Sequence, residues 1–285
     1  MSLQVQLVLD SNVYSSSDVL QGRLYITTSK HLSVDYVRLE LVGTHKLHLK
    51  DPQVAQLAIQ SVPEATQVRF QLPLYSRMTV LLPGKSCLLF QFPCSNLPAS
   101  FNNESNRCDA YTSYELTAEI ATGDTALTDS KTIEIRCGVV RGWVTSRFEM
   151  HVTRFHCLQV GQISCKFRTL RRCYSRGQVA TLVMSQCSIV GTHSLTLLVY
   201  GELERVILMS MPSGKEVKHV EVLSRWTSKV IVGKASVGQI DVRLPETISP
   251  QSFGASLSCW YQARLRLSVR FGNQEEIVVP IQVVL

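Results

Sequence analysis

The residue types that carry catalysis or metal binding are spread through this sequence without the spacings that such chemistry needs. His45 and His48 stand three apart in an alternating stretch, and His151 and His156 stand five apart. Each pair therefore falls on opposite faces of a strand and makes no local ligand pair. They read as surface or interface histidines. The sequence has no glycine-rich phosphate loop, no nucleophile elbow and no His-Glu-x-x-His, so a non-enzymatic role is expected, with no cofactor and no metal. Nine cysteines, at 87, 94, 108, 137, 157, 165, 173, 187 and 259, form no Cys-x-x-Cys pair. An odd, scattered set is neither a disulfide framework nor a zinc ribbon, and it reads as reduced core thiols, with Cys137 and Cys165 on inward phases.

The arginines offer more. Near the end of the chain Tyr261, Ala263, Leu265, Leu267, Val269 and Phe271 share one face, which puts Arg264, Arg266 and Arg270 on the other. Arg168, Arg171, Arg172 and Arg176 crowd between a strand at 163 and the turn after Tyr174. Two readings stand for these seven residues. One is a solvated face that keeps the protein soluble. The other is capture of an anion, since guanidinium forks match phosphate and carboxylate; phosphorylated or acidic cargo tails and anionic lipid headgroups are then the natural ligands. The excess charge of +7 lies wholly in the second half, because residues 1–148 hold as many acidic as basic residues. Nucleic acid is not expected, as Trp143, Trp226 and Trp260 are isolated and offer no stacking platform.

What must position these side chains is almost entirely strand. Leu3, Val5, Leu7 and Leu9 alternate, as do Leu20, Gly22, Leu24 and Ile26, and Val37, Leu39 and Leu41, each with polar residues opposite. Further strands are expected at 66–72, 78–82, 88–92, 114–120, 133–139, 148–152, 163–167, 178–186, 194–203, 217–223, 229–232, 237–244, 259–271 and 276–285. Asp51-Pro52 is the one credible helix start, and the residues after it read as a short helix or a loop. The stretch from Leu82 to Ile120 reads as two strands joined by a long polar loop centred on residues 102–110. With 45% hydrophobic and 18% charged residues over 285 positions, a core is readily buried. No apolar run reaches the roughly 18 to 20 residues of a spanning helix, and the first ten residues lack the basic start of a leader, so a cytosolic protein is expected.

An internal repeat sets the domain count. Tyr14-Ser15 precedes Val19 and strands that run to Leu41-Val42-Gly43; Tyr174-Ser175 precedes Val179 and strands that run to Val199-Tyr200-Gly201. Pro98 to Phe101 and Pro250 to Phe253 both read Pro-x-Ser-Phe, and each is followed by a strand led by a tyrosine, Tyr114 or Tyr261. Three echoes in one order imply two related β-sandwiches, residues 1–148 and 149–285, with the join between Gly142 and Gly161.

The order of these pieces resembles the arrestin superfamily, most closely the alpha-arrestins (arrestin domain-containing proteins). The resembling motifs are Tyr14 to Asp18, Gly22, Leu41 to Gly43, Leu82-Pro83-Gly84, Phe90-Gln91-Phe92, Leu97 to Phe101 and Tyr114 to Ile120; in the second half they are Tyr174 to Gln178, Ser249-Pro250, the strand from Tyr261, and Pro280-Ile281. Ser17 and Gln178 depart from the family's turn residues. The resemblance implies two tandem arrestin-like sandwiches joined by a hinge. It also implies a cytoplasmic adaptor, associated peripherally with plasma membrane or endosomes, that links cytosolic tails of membrane proteins to trafficking or ubiquitin-ligase proteins; a structural subunit of a retromer-type coat is the alternative. The Pro-Pro-x-Tyr motifs with which that family engages WW domains do not occur here, and Leu72-Pro73-Leu74-Tyr75, a distant relative, falls in an expected strand.

Overall fold

Period-two alternation governs what forms. The computed structural model is all-β, and it describes residues 3–50, 62–95, 97–104, 108–123, 125–136, 145–154, 158–191, 194–210, 216–233, 238–254, 257–269 and 274–284. The helix start at Asp51, Trp143, Cys137, Cys157, His156 and Arg270 lie outside the described residues. The chain divides into two compact units, Met1–Gly138 and Val139–Leu285.

The first unit contains β1 (Leu3–Leu9), β2 (Val13–Ser15), β3 (Val19–Thr28), β4 (Leu32–Val34), β5 (Tyr36–Leu49), β6 (Val62–Tyr75), β7 (Thr79–Leu81), β8 (Gly84–Pro93), β9 (Phe101–Glu104), β10 (Cys108–Thr122) and β11 (Thr125–Arg136). One sheet runs β1-β3-β8; a larger one runs β2-β11-β10-β5-β6, with β9 also on β10; β4 and β7 form a small ribbon. Inward residues of both large sheets, among them Leu24, Ile26 and Phe90 from one and Leu39, Leu116, Ile120 and Ile133 from the other, make one buried cluster. That is the packing of a sandwich, driven by apolar area removed from water. The expected loop at 102–110 is shorter than the sequence suggests. Phe101 pairs with Thr112 and Glu104 with Asp109, so β9 recruits this polar stretch as a ladder strand.

The second unit contains β12 (Thr145–Arg154), β13 (Leu158–Thr169), β14 (Val179–Val190), β15 (Ser194–Ser210), β16 (Glu216–Gly233), β17 (Gln239–Arg243), β18 (Ser252–Phe253), β19 (Leu257–Val269) and β20 (Gln274–Ile281). One sheet runs β12-β13-β14-β17; the other runs β16-β15-β19-β18, with β20 also on β19. The Ser146 hydroxyl donates to the Val278 carbonyl at 2.6 Å, tying the first strand of one sheet to the last strand of the other. The strands expected separately at 217–223 and 229–232 are one 18-residue strand, β16, paired with β15 along its length. A bulge at Leu203/Glu204 shifts its phase, which is why the alternation read as two pieces.

Alternation also decides the fate of the histidines and thiols. His45 is buried on β5, contrary to its expected surface place, because it shares the inward phase of Leu39, Leu41 and Leu47; His48 is exposed. Cys94, Cys108, Cys165 and Cys259 are buried, and neither these nor Cys87, Cys173 and Cys187 form a disulfide.

Candidate anion-binding surface

The arginine cluster at 168–176 is held by a corner that the chain builds twice. In the first unit β2 runs parallel to the end of β11, with Tyr14 opposite Ile135. The Tyr14 hydroxyl accepts from the Ser11 N–H at 3.2 Å and donates to the Gln21 carbonyl at 3.3 Å. Burial is the main cause raising its pKa above the usual tyrosine value. The Ser15 N–H donates to the Asp18 carboxylate at 2.6 Å, and the Asp18 N–H returns to the Ser15 carbonyl at 2.9 Å, closing the turn.

In the second unit Tyr174 bridges Val283, again in parallel. Its hydroxyl accepts from the Arg171 N–H at 3.1 Å and donates to the Thr181 carbonyl at 3.3 Å. The Ser175 N–H donates to Gln178 Oε1 at 3.0 Å. An amide oxygen thus serves where the first copy uses a carboxylate, so the departure at Gln178 keeps the turn and discards its charge. The correspondence extends outward: the Cys94 N–H reaches the Asp18 carbonyl at 3.0 Å, and the Leu244 N–H reaches that of Gln178 at 2.9 Å.

One sequence echo is shifted. The Ser100 N–H donates to the Ile135 carbonyl, and its equivalent, the Gln251 N–H, donates to that of Val283. Ser100 therefore corresponds to Gln251, and Phe101 to Ser252, one residue off the Pro-x-Ser-Phe match. The exposures follow this register, since Phe101 and Ser252 are buried whereas Phe253 is exposed.

The two corners differ in charge. The first, from Val8 to Asp18, carries Asp10 and Asp18 and no basic residue; the second, from Arg168 to Gln178, carries Arg168, Arg171, Arg172 and Arg176 and no acidic one. Arg171, Arg172 and Arg176 are exposed and, among the described residues, make no ion pair; Arg168 is half-buried on β13. The Glu246 side chain lies over Gly177, whose φ of +74° favours glycine in this turn. The corner presents guanidinium groups to solvent on a backbone fixed by the tyrosine hydroxyl. Such an array suits a phosphate or a run of carboxylates.

Arg264 and Arg266 stand differently. They lie on the outer face of β19, as the alternation requires, but carboxylates already hold them. Arg264 Nε is 2.6 Å from Glu204 Oε1 and its Nη2 is 3.2 Å from Oε2, while its Nη1 meets Glu276. Arg266 Nε is 3.3 Å from Glu276. Gln262 Nε2 also donates to Glu204, at 2.7 Å. Burial alone would raise the Glu204 carboxyl, but Arg264 and Gln262 outweigh it and hold the group below the usual carboxylate range. Beside them a groove of about 470 Å³ includes Tyr200, Glu202 and Arg225, and Arg225 is itself 2.7 Å from Glu202. Glu204 comes from β15, distant in sequence, and Glu276 from the following strand β20, and reading β19 alone missed both; the signal available was Glu202 on the outward phase of the expected strand at 194–203, Glu204 in the same phase just beyond it, and Glu276 at the start of the expected strand at 276–285.

No protein-family model matches the chain, and no curated protein matches it. Among the described residues no helix is long and apolar enough to cross a membrane.

Proposed function

We propose that the chain is a non-enzymatic adaptor of the arrestin type, which binds acidic or phosphorylated segments of membrane cargo through the corner around Tyr174 and passes that cargo to trafficking machinery in the cytoplasm. The observation that carries the proposal is the charge reversal between two corners with the same hydrogen bonds: Asp10 and Asp18 in one, Arg168, Arg171, Arg172 and Arg176 in the other. The second corner does not need its arginines to form, since the tyrosine hydroxyl and the turn acceptor, Asp18 in one copy and Gln178 in the other, hold both. Four guanidinium groups within eleven residues repel one another, and an anion relieves that repulsion. The arrestin reading adds the adaptor role through the order of motifs in both halves. Arg264 and Arg266 belong to an ion-pair network on the outer face of the sheet that contains β15, β19 and β20.

The test is fluorescence anisotropy of the full chain with a phosphorylated acidic peptide, its unphosphorylated form and a neutral scrambled peptide. The proposal expects binding in the order phosphorylated, acidic, neutral, with each step weakening as salt rises. Equal binding of the neutral peptide would overturn it.

A further inference from the structure

The ribbon of β4 and β7 leaves an apolar stripe uncovered. Along β7 and its flanks Met78, Val80 and Leu82 point one way, and they are 73%, 59% and 65% exposed. Leu81, on the opposite phase, is buried in the first unit's core with Leu32 and Val34. A strand apolar on both faces ordinarily lies inside a protein; here, among the described residues, β7 pairs with β4 alone and its outer face is bare. Because Leu81 anchors the inner face, the ribbon cannot turn the stripe inward without emptying a core position.

The charge around the stripe indicates what covers it. From Ala65 to Asn103 the sequence has no acidic residue and three basic ones, of which Arg77 and Lys85 flank the stripe and are exposed. Lys85 Nζ lies 4.0 Å from the centre of the Tyr25 ring, so an amphipathic aromatic stands beside the cation. Bulky exposed apolar side chains flanked in sequence by basic residues, in a stretch that carries no carboxylate of its own, complement one surface on both counts: an anionic bilayer, whose acyl region takes the apolar groups and whose phosphates meet the bases.

We infer that Met78, Val80 and Leu82 insert into the surface of an anionic membrane, with Arg77 and Lys85 at the headgroups. This site lies in the first unit and does not depend on the arginine corner of the second. The experiment uses the full chain with vesicles of phosphatidylcholine alone or with about 30% phosphatidylserine. Cosedimentation is expected with the anionic vesicles, weakened about tenfold or more by M78S/V80S/L82S and also by R77E/K85E. In a separate variant, V80W, tryptophan emission should shift to the blue on anionic vesicles and be quenched by lipids brominated on the acyl chain. Binding that survives in M78S/V80S/L82S, or a V80W signal that vesicles leave unchanged, overturns the inference. So does cosedimentation lost in R171E/R172E/R176E while the apolar variant binds as wild type, because the contact would then belong to the other unit.

Discussion

Tyr174 stands to Val283 as Tyr14 stands to Ile135, each tyrosine paired in parallel with the closing segment of its own unit while its hydroxyl bridges a loop N–H and a strand carbonyl. Equal geometry should give equal energetics. Y14F and Y174F each remove one donor and one acceptor from a partly buried site, and each is expected to cost about 1 to 2 kcal/mol. Urea denaturation of the two variants measures this; a loss in one and none in the other would mean that the corners are not equivalent.

The pair Arg264–Glu204 predicts a sharper contrast. Glu204 is buried and takes three donated bonds, so R264A strands a carboxylate and is expected to cost about 2 to 3 kcal/mol. Arg266 is half exposed and 3.3 Å from its partner, so R266A should cost no more than about 1 kcal/mol. Thermal or urea unfolding of the two variants side by side decides the point.

Acid should expose the same network. A carboxylate with a folded pKa below its unfolded value stabilises the fold above the unfolded value, and that contribution is lost as pH falls through the folded one. Glu204 meets this condition through Arg264 and Gln262. Stability of the wild type is therefore expected to drop below about pH 4.5, and E204Q, already weaker at pH 7, should show a shallower drop over the same range. Unfolding midpoints from pH 7 down to pH 3 provide the comparison.

Gly201 carries a packing prediction. A Cβ built there would lie 2.1 Å from the Trp226 ring, which sits across the ladder on β16. A rigid indole cannot yield that distance cheaply, so G201A is expected to cost about 1 to 3 kcal/mol. Adding W226L should recover part of that cost, a non-additivity measurable by a double-mutant cycle.

How much of this was legible beforehand follows from which strands keep a clean period. β3 reads directly, with Leu20, Leu24 and Ile26 inward and Gln21 and Arg23 outward, and so does β10 from Tyr114 to Ile120. The first part of β11 was invisible: Thr125 to Ser130 is nearly all exposed, so no apolar alternation marks a strand held there by its backbone ladder to β10. The Tyr14 and Tyr174 echo was legible because a side-chain hydroxyl does the work. The Pro-x-Ser-Phe echo misled by one residue, because there the backbone N–H of Ser100 and of Gln251 makes the equivalent bond and leaves the side chains free to differ. In the site, the clustering of Arg168 to Arg176 was plain in the sequence. That Arg264 was already engaged was not, since Glu204 reaches it only through strand pairing.

The corner's charge reversal is tested most directly by the affinity of one phosphorylated acidic peptide for three forms of the full chain: wild type, R171E/R172E/R176E, and K131E/K218E/K229E, which changes net charge equally at exposed lysines elsewhere. The expectation is that the corner variant loses about tenfold or more while the lysine variant stays within about threefold of wild type. An equal loss in both variants, or none in the corner variant, would contradict it.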